Sequence, residues 1–130
     1  MEDYRILEVM KDMKEVATNV TPVVFATDRP KSQPDKNKEF IVFKMPVMVY
    51  PKTIGTGYGL FSSFVRFEVY VADERGVENT KRMCEICQSL LNQFPFYKDG
   101  IKFYSPRVVA KGTDQHGFHF AWVQVTLLIS

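Results

Sequence analysis

The sequence predicts an α+β fold: a single antiparallel sheet with two helices packed on one face, plus a β-hairpin. Three observations predict it. Apolar residues recur at steps of three and four near the N-terminus and again over 77–94, the period of an amphipathic helix. Residues 63–71 and 118–129 instead alternate with a period of two, as half-buried strands do. Strand-like segments also follow one another with only turns between them. That favours antiparallel neighbours, because each parallel pair needs a crossover.

The elements follow in order. Asp3 is an N-cap candidate; Ile6, Met10, Met13, Ala17 and Val20 form one helical stripe, and Glu8, Lys11, Asp12 and Glu15 fall on the other side. Asn19 and Pro22 supply the stop, and Val23-Val24-Phe25 reads as a first short strand. Residues 28–38 hold two prolines, many charges and no apolar side chain, the composition of a surface loop. A core strand is expected over 39–45, bounded by Pro46 and continuing at 47–50. The glycines of 51–60 make that stretch permissive. In the strand over 63–71, Val65, Phe67, Val69 and Val71 face one way, and Phe64, Arg66, Glu68 and Tyr70 the other.

A second helix is expected after the turn at 73–76, with an apolar stripe of Val77, Thr80, Cys84, Cys87, Leu91 and Phe94 beside Met83 and Leu90. Pro95 ends it. Asp99-Gly100 between 96–97 and 101–104 is a tight-hairpin signal. Pro106 argues for an edge or a break, and 111–117 reads as a turn. In the last strand Ala121, Val123, Val125, Leu127 and Ile129 share the core side.

Composition narrows the function classes. A chain of 130 residues is one domain, 1–130, and 45% hydrophobic against 25% charged residues is the ordinary globular mix. A formal charge of +2 does not suggest a nucleic-acid footprint. The N-terminus is polar, without an apolar signal core, and no run is long enough to span a bilayer. Two cysteines three positions apart read as reduced, packed thiols of a cytoplasmic protein rather than as a disulfide framework.

No active site emerges, so neither catalytic residue, metal nor cofactor is expected. Cys84-x-x-Cys87 and His116-x-x-His119 hold the inventory of a zinc site, yet the cysteines sit mid-helix on the apolar stripe, where thiols pack as small hydrophobes. His119 shares its side with Ala121 and Val123 and is placed at the core edge. The glycines at 55, 57 and 59 lead into a strand with no GK[ST] after them, unlike a phosphate loop. Lys98, Lys102, Arg107 and Lys111 near Phe103 and Tyr104 raise an oligonucleotide reading, which the total charge opposes.

The outward side of the last strand resists a bland account. Phe118, Phe120 and Trp122, joined by Phe64, Tyr70, Arg66 and Glu68 if the two long strands pair, are the interface candidates. Each aromatic ring brings ~150–250 Å², so three of them reach the size of the largest patch on a typical monomer. Two arrangements would cover such a face: a second layer of the same chain, such as the hairpin or the Gly-rich loop folding over it, or a protein partner, often another copy of the chain.

Three stretches then carry a family resemblance: EFIVF at 39–43, FVRFEVYVA at 64–72 leading into the helix of 77–94, and GFHFAWVQV at 117–125. Together with the order of elements they resemble the tail-terminator, or tail-completion, proteins of tailed bacteriophages and prophages. The resemblance implies a ring-forming structural protein, not an enzyme. Such a protein caps the tail tube, stops its polymerisation and joins tail to head. Its partners would be copies of itself, tail-tube proteins and head-connector proteins, with no membrane and no specific nucleic acid. Its place would be the virion tail, after assembly in the host bacterial cytoplasm. The other readings are a connector or minor tail protein, and a small ligand-binding module or enzyme with an aromatic pocket between sheet and helices.

Overall fold

The computed structural model describes residues 6–26, 39–44, 50–53, 59–75, 77, 79–113 and 117–129. The expectations for Asp3, the 28–38 loop, Pro46, Gly55, Gly57 and His116 lie outside them. The chain runs α1 (Ile6–Thr18), β1 (Val24–Ala26), β2 (Glu39–Lys44), β3 (Tyr50–Thr53), β4 (Gly59–Ala72), α2 (Thr80–Leu91), β5 (Phe96–Lys98), β6 (Ile101–Thr113) and β7 (Phe118–Ile129).

The strands form one sheet in the order β1-β2-β4-β7-β6-β5, with β3 also pairing β4. β2 meets β4 at residues 66–71 and β3 meets it at 59–62. Both use the edge of β4 that β7 leaves free, so the sheet has six strand positions and curls. The expected single antiparallel sheet is corrected on one point of direction: β1 runs parallel to β2, with Val24 beside Ile41 and Ala26 beside Phe43, and the sheet is mixed. A parallel pair needs a crossover of about a dozen residues, and the segment 27–38 between the two strands has that length. Its composition announces a loop but not the direction in which the chain returns.

The widest pairing is β4 with β7, twelve residue pairs from Phe61↔Ile129 to Ala72↔Phe118. It puts Val65, Phe67, Val69 and Val71 beside Val125, Val123, Ala121 and His119, all buried. Onto this face pack Val9, Met13, Val16 and Ala17 of α1 and Met83, Ile86 and Leu90 of α2, giving one continuous core. The stripe of α1 therefore includes Val9 and Val16, and Asp12, expected on the solvent side, is 5% exposed.

The stripe of α2 is turned from its expected position. Val77, Thr80 and Cys84 are exposed, while Met83, Ile86 and Leu90 are buried with Cys87, Leu91 and Phe94 at their margin. Ile86 decides the rotation, because one fully buried isoleucine outweighs a thiol and a threonine in the apolar area it removes from water. The helix begins at Asn79, whose side-chain oxygen accepts a hydrogen bond from the Arg82 backbone N–H at 3.2 Å, the usual geometry of an asparagine cap.

Two further expectations change. Pro106 does not break its strand: β6 continues to Thr113, taking up residues 111–113 that read as turn. Two irregularities, between Tyr104 and Arg107 and between Val108 and Ala110, each set one extra β6 residue against β7, and Ser105 has φ 54. These are β-bulges, which admit a proline and a left-handed residue where a flat strand would not. At the hairpin Asp99 (φ 50) and Gly100 (φ 85) are both left-handed, as a type I′ turn demands.

Phe67→Ala removes a ring that is 0% exposed at the centre of this core. We expect it to cost about 3–5 kcal/mol in denaturant unfolding, against less than about 0.5 kcal/mol for Leu7→Ala at 76% exposure.

Candidate functional site

The face of the sheet turned away from the helices is organised by cross-strand rows. The first is Phe40–Tyr70–Phe120–Gly112 across β2, β4, β7 and β6. The next is Val42–Glu68–Trp122–Ala110, and the third Lys44–Arg66–Gln124–Arg107. A fourth, Phe64–Thr126–Tyr104, crosses β4, β7 and β6. Because side chains in a row lie about 5 Å apart, each row has its own chemistry.

The first row closes into a second, smaller core. Phe40, Val42, Tyr70 and Phe118 are buried together, flanked by Val23, Phe25, Ala72 and Phe120. Phe40 stacks on Tyr70 at 4.8 Å and meets Phe118 edge-on at 5.4 Å. Phe120 lies over Gly112, where an added Cβ would come within 2.8 Å of the ring. A bare glycine here lets the aromatic ring cover the backbone of the neighbouring strand.

The second and third rows interlock through a buried carboxylate. Glu68 is 4% exposed. Arg66 donates to its Oε2 from Nε at 2.9 Å, with Nη2 also 2.9 Å away, Lys44 Nζ stands 3.4 Å from that oxygen, and the Tyr70 hydroxyl donates to Oε1 at 3.0 Å. The Arg66 guanidinium also lies 4.1 Å from the Trp122 ring centroid, and Trp122 stacks on Phe120 at 5.4 Å. Without Glu68, Lys44 and Arg66 would be like charges directly opposite each other, an unfavourable pairing. The carboxylate holds both in place. Trp122 Nε1 is buried with no acceptor among the described residues.

The seven interface candidates therefore do not form one open surface. Phe118 and Tyr70, each 8% exposed, belong to the second core, and Glu68 is buried beneath its cations. Phe64, Arg66, Phe120 and Trp122 remain half-buried and reachable. Sequence reading misses Lys44 and Gly112, and it places neither Arg107 nor Tyr104 on this face. Tyr104 follows from the alternation of Ile101 and Phe103 on the core side, and the signal for Arg107 is Ser105-Pro106 within the strand, which marks a bulge and a change of phase. Phe103, a nucleic-acid contact candidate by sequence, is fully buried in the main core.

The cysteines and histidine take separate places. Cys84 is exposed, while Cys87 is half-buried with Sγ 3.6 Å from Met83 Sδ. Burial pushes the Cys87 thiol up, Cys84 adds to this and Lys111 opposes it. His119 is 4% exposed and engaged on both ring nitrogens, Nδ1 2.8 Å from Asp73 Oδ1 and Nε2 3.3 Å from the Asn79 carbonyl oxygen. It joins the start of β7 to the connection between β4 and α2. Among the described residues no group of three His, Cys, Asp or Glu side chains is placed to hold a metal.

Elsewhere, Arg82 of α2 forks onto Glu39 of β2, with Nε 2.7 Å from Oε1 and Nη2 2.5 Å from Oε2. The hydrogen-bonded carboxylate raises the arginine pKa further. A cleft beside α1 is lined by Glu8, Lys11, Asp12, Lys98 and Asp99, a charged rather than aromatic lining. No described helix is long and apolar enough to cross a membrane.

Glu68→Ala leaves Lys44 and Arg66 opposed across β2 and β4 and removes the hydrogen bond from the Tyr70 hydroxyl to Glu68. Removing one member of a buried charge cluster costs about 3–5 kcal/mol, and we expect a loss near the lower figure because both cations retain access to water. Equilibrium unfolding measures it; a change below about 0.5 kcal/mol, the range of ordinary surface substitutions, would contradict the assigned role of Glu68.

Comparison of the chain with family models and with curated proteins finds no match to either.

Proposed function

We propose that this chain is a structural assembly protein that closes into a ring, as the resemblance to tail-terminator proteins suggests, with an open strand edge as its subunit contact. The observation that carries the reading is the far half of β6. β5 pairs with residues 101–103 only, so residues 104–113 have no strand on their outer side among the described residues. Val108 and Val109, at 38% and 45% exposure, stand on this stretch. An uncovered edge is a template for another chain.

Its details favour a closed assembly over a fibre. Two bulges, Pro106, Arg107 and Lys111 interrupt the edge, devices that restrain open-ended pairing. A heterologous contact through this edge generates a ring when the rotation closes. In the tail-terminator reading the ring caps the tail tube, and the remaining surfaces meet tube and head-connector proteins in the virion.

Light scattering from dilute to near-millimolar protein tests the proposal. The expected result is a discrete species of several subunits, lost in Val109→Asp while the circular dichroism spectrum is unchanged. A monomer or two-fold dimer at every concentration would contradict it.

A further inference from the structure

The charge of this protein is near neutral as a whole but is not evenly spread. On the outward sheet face, Lys44, Arg66 and Arg107 stand in one cross-strand row, and Lys102 continues the same side of β6 opposite Leu128. These four cations face a single carboxylate among the described residues of the rows, Glu68, itself buried. Four minus one gives +3 over these five residues, in a chain whose formal charge is +2 as a whole. Arg107 reaches the row only because the bulge after Tyr104 reverses the alternation of β6. It makes no ion pair among the described residues.

Flat rings are set between these cations. Trp122 lies under Arg66 at 4.1 Å, and Tyr104 lies under Lys102 at 5.0 Å. Phe64 and Tyr104 flank Thr126 in the row beside the basic one. Phe64, Tyr104 and Trp122 are all half-buried residues, and Trp122 also stacks on Phe120. Both helices pack on the opposite face, and among the described residues no element covers these rows. From Lys44 to Arg107 the basic row crosses three strand spacings, ~14 Å.

We propose that this face binds single-stranded nucleic acid without sequence preference. A cationic track interleaved with accessible aromatic faces is what such binding requires: the backbone follows the charges while bases stack on the rings. Duplex readout would need a helix or ribbon shaped to enter a groove, whereas this is a broad sheet surface. An acidic protein segment would satisfy the cations but leave the flat rings without the partner that suits them. The assembly contact uses the backbone edge of the same stretch of β6, so Tyr104 and Arg107 adjoin it while their side chains lie on the outward face.

The test uses the full chain with fluorescein-labelled dT20, read by anisotropy, and with unlabelled dT20, read by quenching of the single tryptophan, Trp122. Sequence-independent binding at low salt is expected at about 10–100 µM. With three to four phosphates neutralised, affinity falls roughly 20- to 50-fold between 50 and 200 mM salt. Arg107→Glu and Tyr104→Ala should each weaken binding about tenfold. Each is checked to keep the light-scattering mass of the parent, so that lost assembly is not mistaken for lost binding. Lys14→Glu, an equal charge change on the exposed side of α1, should leave affinity unchanged. The proposal is overturned by no binding up to about 1 mM, by an anisotropy rise without Trp122 quenching, or by equal losses in Lys14→Glu and Arg107→Glu. It is also overturned if polyglutamate of equal charge competes as well as dT20, which would assign the face to an acidic protein.

Discussion

The twelve-pair ladder between β4 and β7 is the constraint on which the rest of this molecule depends. A strand presents alternate side chains to opposite faces, so shifting this register by one residue would send Val65, Phe67 and Val69 to the outside and bring Arg66 and Glu68 into the main core. The penalty for burying those charges without their present partners is several kcal/mol per ion. Register, main core and outward chemistry are therefore one decision. The helices contribute by covering the apolar face, and the Glu39–Arg82 fork and the His119–Asp73 contact hold α2 and its connection against the ends of the strands.

The outward face shows how one sheet carries three environments. At one end aromatic rings close over each other and exclude water. In the middle Glu68 organises two cations and a tyrosine around itself, with Trp122 as the surface on which Arg66 rests. Toward β6 the face is basic and open. Bulges produce this last change: two extra residues in β6 turn its alternation twice and leave a twisted edge, as bulges do at sheet margins. The same irregularities supply the open edge used in the assembly proposal and the placement of Arg107 used in the binding proposal.

Much of this is legible from residue order, and the remainder has identifiable reasons. The alternation of 63–71 and 118–129 locates both long strands and the inward residues of each, because a strict period of two sustained that far fits a half-buried strand and no helix. The direction of β1 is not legible, since Val23-Val24-Phe25 looks the same whether its neighbour runs up or down. The face of α2 is disguised by two cysteines at helical spacing, which draw the stripe away from Ile86. The outward aromatics look like one exposed patch in the sequence, whereas Phe40 from β2 stacks on Tyr70 and removes it with Phe118 from solvent. No local pattern reports such a long-range partner. Total charge conceals the basic row for the same reason, because strand register, not composition, segregates Lys44, Arg66 and Arg107.

Hydrogen exchange at residues 104–113, followed from dilute to concentrated protein, tests the central claim most directly. Exchange reports local opening and the loss of protection at uncovered edges. The account predicts that the outward-pointing amides of this stretch exchange quickly in dilute protein and slow as concentration rises, while β4 and β7 are protected throughout. Slow exchange at 104–113 already in dilute monomer would mean that the chain covers its own edge, and it would remove the contact from which the ring is built.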